Sequence, residues 1–211
     1  TPGCPGAPCF FASRFSRLPV LSKEKSGDYR VPGGIAPRKA VRIAYARPRP
    51  RGVGPEEKWV HVDLTEQVLT AYEGDTLVFA TLVSTGKKET QTKTGLFRVW
   101  RKAIHEALQG EPEDPYLVEE VPFLLFFHEE QAFHGTFWHE AFGTAASHGC
   151  VNLSMADAAW LFEWAPPRLP PGWHSITPEP AGLPTLWVQV ERAAPGVVPP
   201  RKISSSEISF P

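Results

Sequence analysis

This sequence predicts a mainly β chain with a single marked helix, on three observations. Short runs alternate apolar and polar residues at period two. Gly74-Asp75 separates two such runs at hairpin spacing, and one segment carries both the start and the stop signals of a helix. Taken in order, Val41, Ile43 and Tyr45 alternate with basic or small residues across 38–47 and predict one edge strand. It would be a remnant of a small β module within a Pro/Gly-rich segment 1–56. Val60, Val62 and Leu64 alternate with His61 and Asp63. Residues 67–73 and 76–84 flank Gly74-Asp75 as the arms of a hairpin. Strands follow at 96–100, 123–128, 131–137 and 185–191. Residues 104–122, rich in Glu106, Glu111, Glu113, Asp114, Glu119 and Glu120, read as a long acidic connection, and such loops often act as lids; a plain solvated loop is the alternative.

The helix starts at Ser154, a candidate N-cap with Asp157 three residues on. It presents Ala158, Leu161 and Phe162 on one face and stops at Pro166-Pro167. The main domain is therefore expected at 57–192, followed by a flexible tail at 193–211 in which Pro195, Pro199 and Pro200 lead into a Ser-rich end.

Composition narrows the function. The chain has 211 residues, enough for one sizeable core and a tail. Its 22 basic and 23 acidic residues leave the charge balance near zero, which argues against a nucleic-acid partner, for which a basic excess is expected. No run of about 18 apolar residues is present, so no transmembrane segment is expected. The start has neither Met nor a signal-peptide pattern, so a processed product is expected. Of the three cysteines, Cys4 and Cys9 sit together near the start and would pair locally in an oxidising compartment, or lie unpaired in a loose terminus. Cys150 stands apart.

Ser147-His148-Gly149-Cys150-Val151-Asn152 is the stretch with the most chemistry. A thiolate is the nucleophilic form of cysteine, and a free thiol ionises near pH 8.5, so a neighbouring imidazole must help it near neutrality. Gly149 lets the backbone bend beside Cys150. The N–H groups of His148, Gly149 and Cys150 could then converge on an oxyanion. His134, sixteen residues before Cys150 in an aromatic strand, is the first choice for general base; His148 more plausibly shapes the loop. A buried structural cysteine with unrelated histidines is the competing reading. His-Glu pairs at 105, 128 and 139 are followed at the fifth position by Gln109, Ala132 and Gly143, so the zinc-protease spacing is absent each time. His134, His139, His148 and Cys150 could hold zinc, but nothing in their spacing requires it.

These residues resemble the signature of the L,D-transpeptidase catalytic domain, the YkuD domain: a His-Gly at a strand end, a spacer, then Ser-His-Gly-Cys, a hydrophobic residue and Asn. Lys58–Leu64, Gln67–Gly74, Ser84-Thr85-Gly86 and Lys93–Phe97 are similar to its earlier landmarks, and the resemblance covers about residues 58–191. It implies an L,D-transpeptidase-like β-sandwich with one helix beside the Cys loop. The activity it implies is acyl transfer without a metal or organic cofactor, on peptidoglycan stem peptides, by a monomer in the cell envelope or on its outer face. By the same resemblance Gly135 orients His134 through its carbonyl. From their position between the two halves of the site, Trp138, His139 and Phe142 are expected to line the substrate groove, together with Thr136 and Ser147, and Asn152 is expected to bond the backbone and fix the loop, with a surface Asn as the alternative. Trp138, His139 and Phe142 could equally be core filling. A thiol carboxypeptidase or hydrolase of wall peptides shares the nucleophile; a non-catalytic wall-binding module would not need it.

Overall fold

A computed structural model describes residues 16–110 and 115–192 of the chain. Among the described residues, thirteen strands form three sheets, and there is one α-helix. The first sheet is small: β1 (Ser22–Lys23), β2 (Tyr29–Val31) and β3 (Gly34–Ala36), joined antiparallel in sequence order.

Two five-stranded sheets make up the rest. One has the order β6-β5-β4-β13-β7, from β4 (Lys58–Asp63), β5 (Val68–Glu73), β6 (Thr76–Leu82), β7 (Gly95–Arg98) and β13 (Trp187–Glu191). The other has the order β11-β10-β9-β8-β12, from β8 (Arg101–Gln109), β9 (Leu117–His128), β10 (Gln131–Gly135), β11 (Val151–Leu153) and β12 (Ser175–Ile176). Their inner faces share one core. Val60, Val62, Leu69 and Phe79 from the first sheet pack with Leu125, Phe127, Phe133, Val151 and Leu153 from the second, so the pair is a β-sandwich.

The helix α1 (Met155–Trp164) follows β11 directly. Ser154 caps it as expected: its Oγ accepts from Asp157 N–H at 3.2 Å and donates to Asp157 Oδ2 at 2.8 Å. Ala158, Leu161 and Phe162 enter the sandwich core. Leu161 is fully buried, so its truncation to Ala would cost about 2–5 kcal/mol. At the other end Lys102, on β8, is fully buried, and its Nζ donates to the carbonyls of Phe162, Ala165 and Pro167 at 2.8, 2.7 and 2.8 Å. A cation there satisfies orphan carbonyls and complements the negative end of the helix. No helix among the described residues is long and apolar enough to cross a membrane.

Two expectations are corrected here. Residues 38–47 form no strand: Arg38–Ala40 is a 3-10 turn, and the Ile43 N–H donates to Glu66 Oε2 at 3.1 Å rather than to a neighbouring strand. Residues 104–122 are not a long loop. Most of them belong to the antiparallel pair β8–β9, which runs from Arg101↔Phe126 to Gln109↔Leu117 with a register shift between Glu106 and Leu108. Glu106, Glu119 and Glu120 lie on these strands, interleaved with Leu108 and Val118, which pack on the smaller cluster around Val121 and Leu124. Glu111, Glu113 and Asp114 lie outside the described residues, as do Cys4 and Cys9.

Candidate active site

The parallel pairing of β10 with β11 builds the site. Phe133 lies opposite Val151, His134 opposite Asn152 and Gly135 opposite Leu153. Phe133, Val151 and Leu153 point into the core. By the period of two, His134 and Asn152 share the other face, and Cys150, level with Ala132, shares it with them. Cys150 packs on the smaller cluster around Ala132, Leu124 and Phe126, outside the sandwich interior. A parallel pair needs a crossover, and here residues 136–150 supply it, returning the chain so that Cys150 enters β11 beside Ala132, two residues before His134 on the neighbouring strand.

The loop before β11 is laced to the segment after β6. Ser84 and Asn152 exchange both backbone hydrogen bonds, at 3.0 and 2.9 Å. Lys87 N–H donates to the Ser147 carbonyl at 3.0 Å, and Thr92 Oγ1 donates to the Gly149 carbonyl at 2.8 Å. Inside the loop Ser147 Oγ donates to the Cys150 carbonyl at 2.6 Å and accepts from Gly149 N–H at 3.1 Å. Gly149 has φ +128°, in the region where side chains are strained, and a Cβ there would stand 2.9 Å from Gln131 Nε2. Gly86 is held by proximity instead: a Cβ would stand 2.0 Å from the Thr90 carbonyl oxygen.

The thiol of half-buried Cys150 accepts from Ala132 N–H at 3.5 Å and points its proton toward the Glu130 carbonyl at 3.7 Å. Burial pushes it up to about 11, against the lowering effect of the Ala132 hydrogen bond. His134 is 3% exposed, and burial pushes it down to about 4. Its Nδ1 faces the Gly135 carbonyl at 3.2 Å. A carbonyl only accepts, so Nδ1 carries the proton and Nε2 keeps its lone pair. Thiol and imidazole are thus both neutral at rest.

His139 is fixed by a similar argument. Its Nδ1 accepts from Ala141 N–H at 3.1 Å, so a neutral ring carries its proton on Nε2, which lies 2.9 Å from the Asn152 amide. Nε2–H needs an acceptor, and Asn152 Oδ1 has no partner as placed, so the amide is assigned with its oxygen turned to His139. The Asn152 side chain therefore pairs with His139, and it is the Asn152 backbone that fixes the loop. Trp138 stacks on His134 with ring centroids 5.8 Å apart and is 41% exposed, so it forms part of the site wall rather than core. Thr136 is buried; its N–H donates to the Leu153 carbonyl at 2.9 Å and extends the β10–β11 pairing. The exposed ring of His148 stacks on Tyr116 at 4.7 Å, which joins the end of the β8–β9 hairpin to the Cys loop. Gly149 N–H is engaged by Ser147 Oγ, which removes it from the expected set of oxyanion donors in this geometry.

The depressed imidazole has a consequence for stability. An unfolded histidine titrates near 6.5, so between about 6.5 and about 4 the unfolded chain binds a proton that the folded chain refuses. Stability should fall as the pH falls through that window and level off below it. His139 and His61, also lowered first by burial, act in the same direction. Urea midpoints from pH 7 to 4 should show this slope, made shallower by His134→Gln; an equal slope in that variant would contradict the assignment.

A family model, the L,D-transpeptidase catalytic domain (YkuD), matches residues 57–181. The chain belongs to the L,D-transpeptidase family. The Bacillus subtilis (strain 168) protein YciB, whose own L,D-transpeptidase assignment is provisional, is 24% identical over 149 residues, 61% of this chain and 74% of that protein. Among solved structures, an L,D-transpeptidase from Mycobacterium smegmatis aligns with a TM-score of 0.52 at 19% identity, covering 82% of each chain. A mutant Enterococcus faecium L,D-transpeptidase aligns with a TM-score of 0.52 at 22% identity, over 64% of this chain and 50% of that one. The chain thus spans about half the length of the enterococcal protein. These structural likenesses carry the L,D-transpeptidase fold. The family motif accounts for Cys150, His134 and Gly135, but not for Ala132, whose contribution is a backbone N–H, nor for Tyr116, whose contact crosses 32 residues of sequence.

Proposed function

We propose that this chain is a peptidoglycan L,D-transpeptidase that works by cysteine acyl transfer in the cell envelope. The observation that carries this is the placement of Cys150 and His134 on one face of the paired strands β10 and β11, with His134 Nδ1 committed to Gly135 and Nε2 left to take a proton. The thiol proton passes to His134 Nε2 as Sγ attacks the amide carbonyl that follows the L-centred third residue of a stem tetrapeptide. The C–N bond breaks, the leaving D-Ala amine takes the proton from His134, and a thioester remains on Cys150. An amine of a second stem then attacks the thioester, gives its proton through His134 and returns the thiol, leaving a new amide crosslink.

The resting thiol is protonated, because burial holds it near 11 while His134 stays near 4. Transfer of the proton is therefore coupled to attack rather than completed beforehand. The β8–β9 hairpin, resting on the Cys loop through Tyr116 and His148, supports a role in shielding the thioester from water, which would favour an amine over hydrolysis.

The test is product analysis with a stem tetrapeptide, with and without an amine acceptor. A crosslinked product with equimolar D-Ala is expected when acceptor is present. Tripeptide alone in both conditions would make the enzyme a carboxypeptidase, and no D-Ala in either would remove the catalytic reading.

A further inference from the structure

Between the β4–β5 turn and the segment after β6 lies a cavity of about 220 Å³. Its walls include Leu64, Gln67 and Thr85, and around it stand Lys87, Lys88 and Arg192. Gln67 is fully spent on the wall: it accepts from Thr85 N–H at 2.9 Å and donates to the Leu64 carbonyl at 3.0 Å and to Thr85 Oγ1 at 2.7 Å. The thiol of Cys150 looks elsewhere, toward Ala132 and Glu130, so this is a separate space behind the Cys loop.

Three cations stand around the cavity. Arg38, Arg47, Arg98 and Arg101 each meet a carboxylate within 3.1 Å. Lys87, Lys88 and Arg192 form no ion pair with a described residue, and no residue lining the cavity is acidic. The whole chain has a formal net charge of −1, so three gathered cations are a local excess rather than a general bias. Like charges around a concave wall repel one another and raise the local concentration of anions. The volume is below the roughly 300 Å³ at which pockets for whole small molecules begin. It suits a headgroup or a chain end.

We propose that this cavity binds a small polyanion, a group carrying at least two negative charges on phosphate or carboxylate oxygens. Gln67 and Thr85 set the polar wall, and Lys87, Lys88 and Arg192 supply the charge. The site is distinct from the acyl-transfer site and does not depend on its chemistry.

The test is isothermal titration of the full chain at low salt with inorganic phosphate, pyrophosphate and citrate. Saturable one-to-one binding is expected, tighter for pyrophosphate or citrate than for phosphate and weakened by added NaCl. Either order between pyrophosphate and citrate supports the site, and the tighter one names the preferred oxygen chemistry. Lys87→Gln, Lys88→Gln and Arg192→Gln alter exposed side chains, and each should weaken binding about fivefold, the effect of one unit charge at about 4 Å in water. The triple variant, with an unchanged circular dichroism spectrum, should show no saturable binding. Absence of saturable binding by all three anions, or full affinity in the triple variant, overturns the proposal.

Discussion

Cys150→Ala should abolish acyl transfer and leave the chain folded. The side chain sits at the edge of the small cluster with Ala132 and Phe126, not in the sandwich interior, so the change removes about one methylene-sized group from a half-buried position. A loss of about 1 kcal/mol is expected from such a change. The strand register around it rests on backbone bonds of Asn152 with Ser84 and on β10–β11 pairing, neither of which uses the thiol. Turnover, by contrast, has no substitute nucleophile within the loop: Ser147 Oγ is bonded to the Cys150 carbonyl and the Gly149 N–H. Product formation and the urea midpoint, measured on the same preparation, should separate the two effects. Retained turnover would remove Cys150 from the mechanism.

Lys102→Met should have the largest effect on stability. The amine is fully buried and holds three carbonyl oxygens at the end of α1. Burial lowers it to about 8, so it stays charged at neutral pH. Met fills most of the space but donates nothing, and the carbonyls of Phe162, Ala165 and Pro167 lose a common donor in a site closed to water. A loss of about 3–5 kcal/mol is expected, the range for breaking a buried charged network from one side. The loss should also reach the site, because the first turn of α1 packs beneath Gly135, where Met155 and Ala158 lie close to the strand. An unchanged urea midpoint in Lys102→Met would contradict this account of how the helix is held.

The parts of the fold that the sequence made legible are those in which local signals agree. Gly74-Asp75 between two alternating runs marks the β5–β6 hairpin, and the pair Ser154 and Pro166-Pro167 brackets α1. The cysteine loop was legible because glycine beside the nucleophile meets a backbone need at φ +128°. Other parts depend on partners far away in the chain. Lys102 reads as one more basic residue until the helix end arrives above it. On the outer halves of β8 and β9 acidic residues surround Leu108 and Val118, which pack on the smaller cluster, so the alternation is hidden and composition suggests a loop. Residues 41–47 have strand-like alternation but their N–H groups are directed to side chains, as at Ile43 and at Arg47, which donates to Tyr72 Oη at 2.8 Å. The three short strands before residue 37 carry too few residues to show a period at all.

The assignment of His139 follows the same pattern. Its place near the nucleophile marks it as a groove-lining candidate, and only the fold reveals that its ring is bonded to Ala141 and Asn152. His134→Ala should therefore slow acylation by about 10²–10⁴-fold, the range for a positioned acid–base group, and His139→Ala should cost much less. A larger loss from His139→Ala would transfer the base to that residue.

The central claim is that Cys150 forms a thioester with the stem peptide. Intact-protein mass spectrometry after rapid quenching of the enzyme with a stem tetrapeptide, in the absence of an amine acceptor, tests it most directly. The account predicts an added mass equal to the tetrapeptide minus D-Ala, located by proteolysis on the peptide containing Cys150, removed by hydroxylamine and absent from Cys150→Ala. An adduct on another residue, or release of D-Ala from the Cys150→Ala protein, would contradict it.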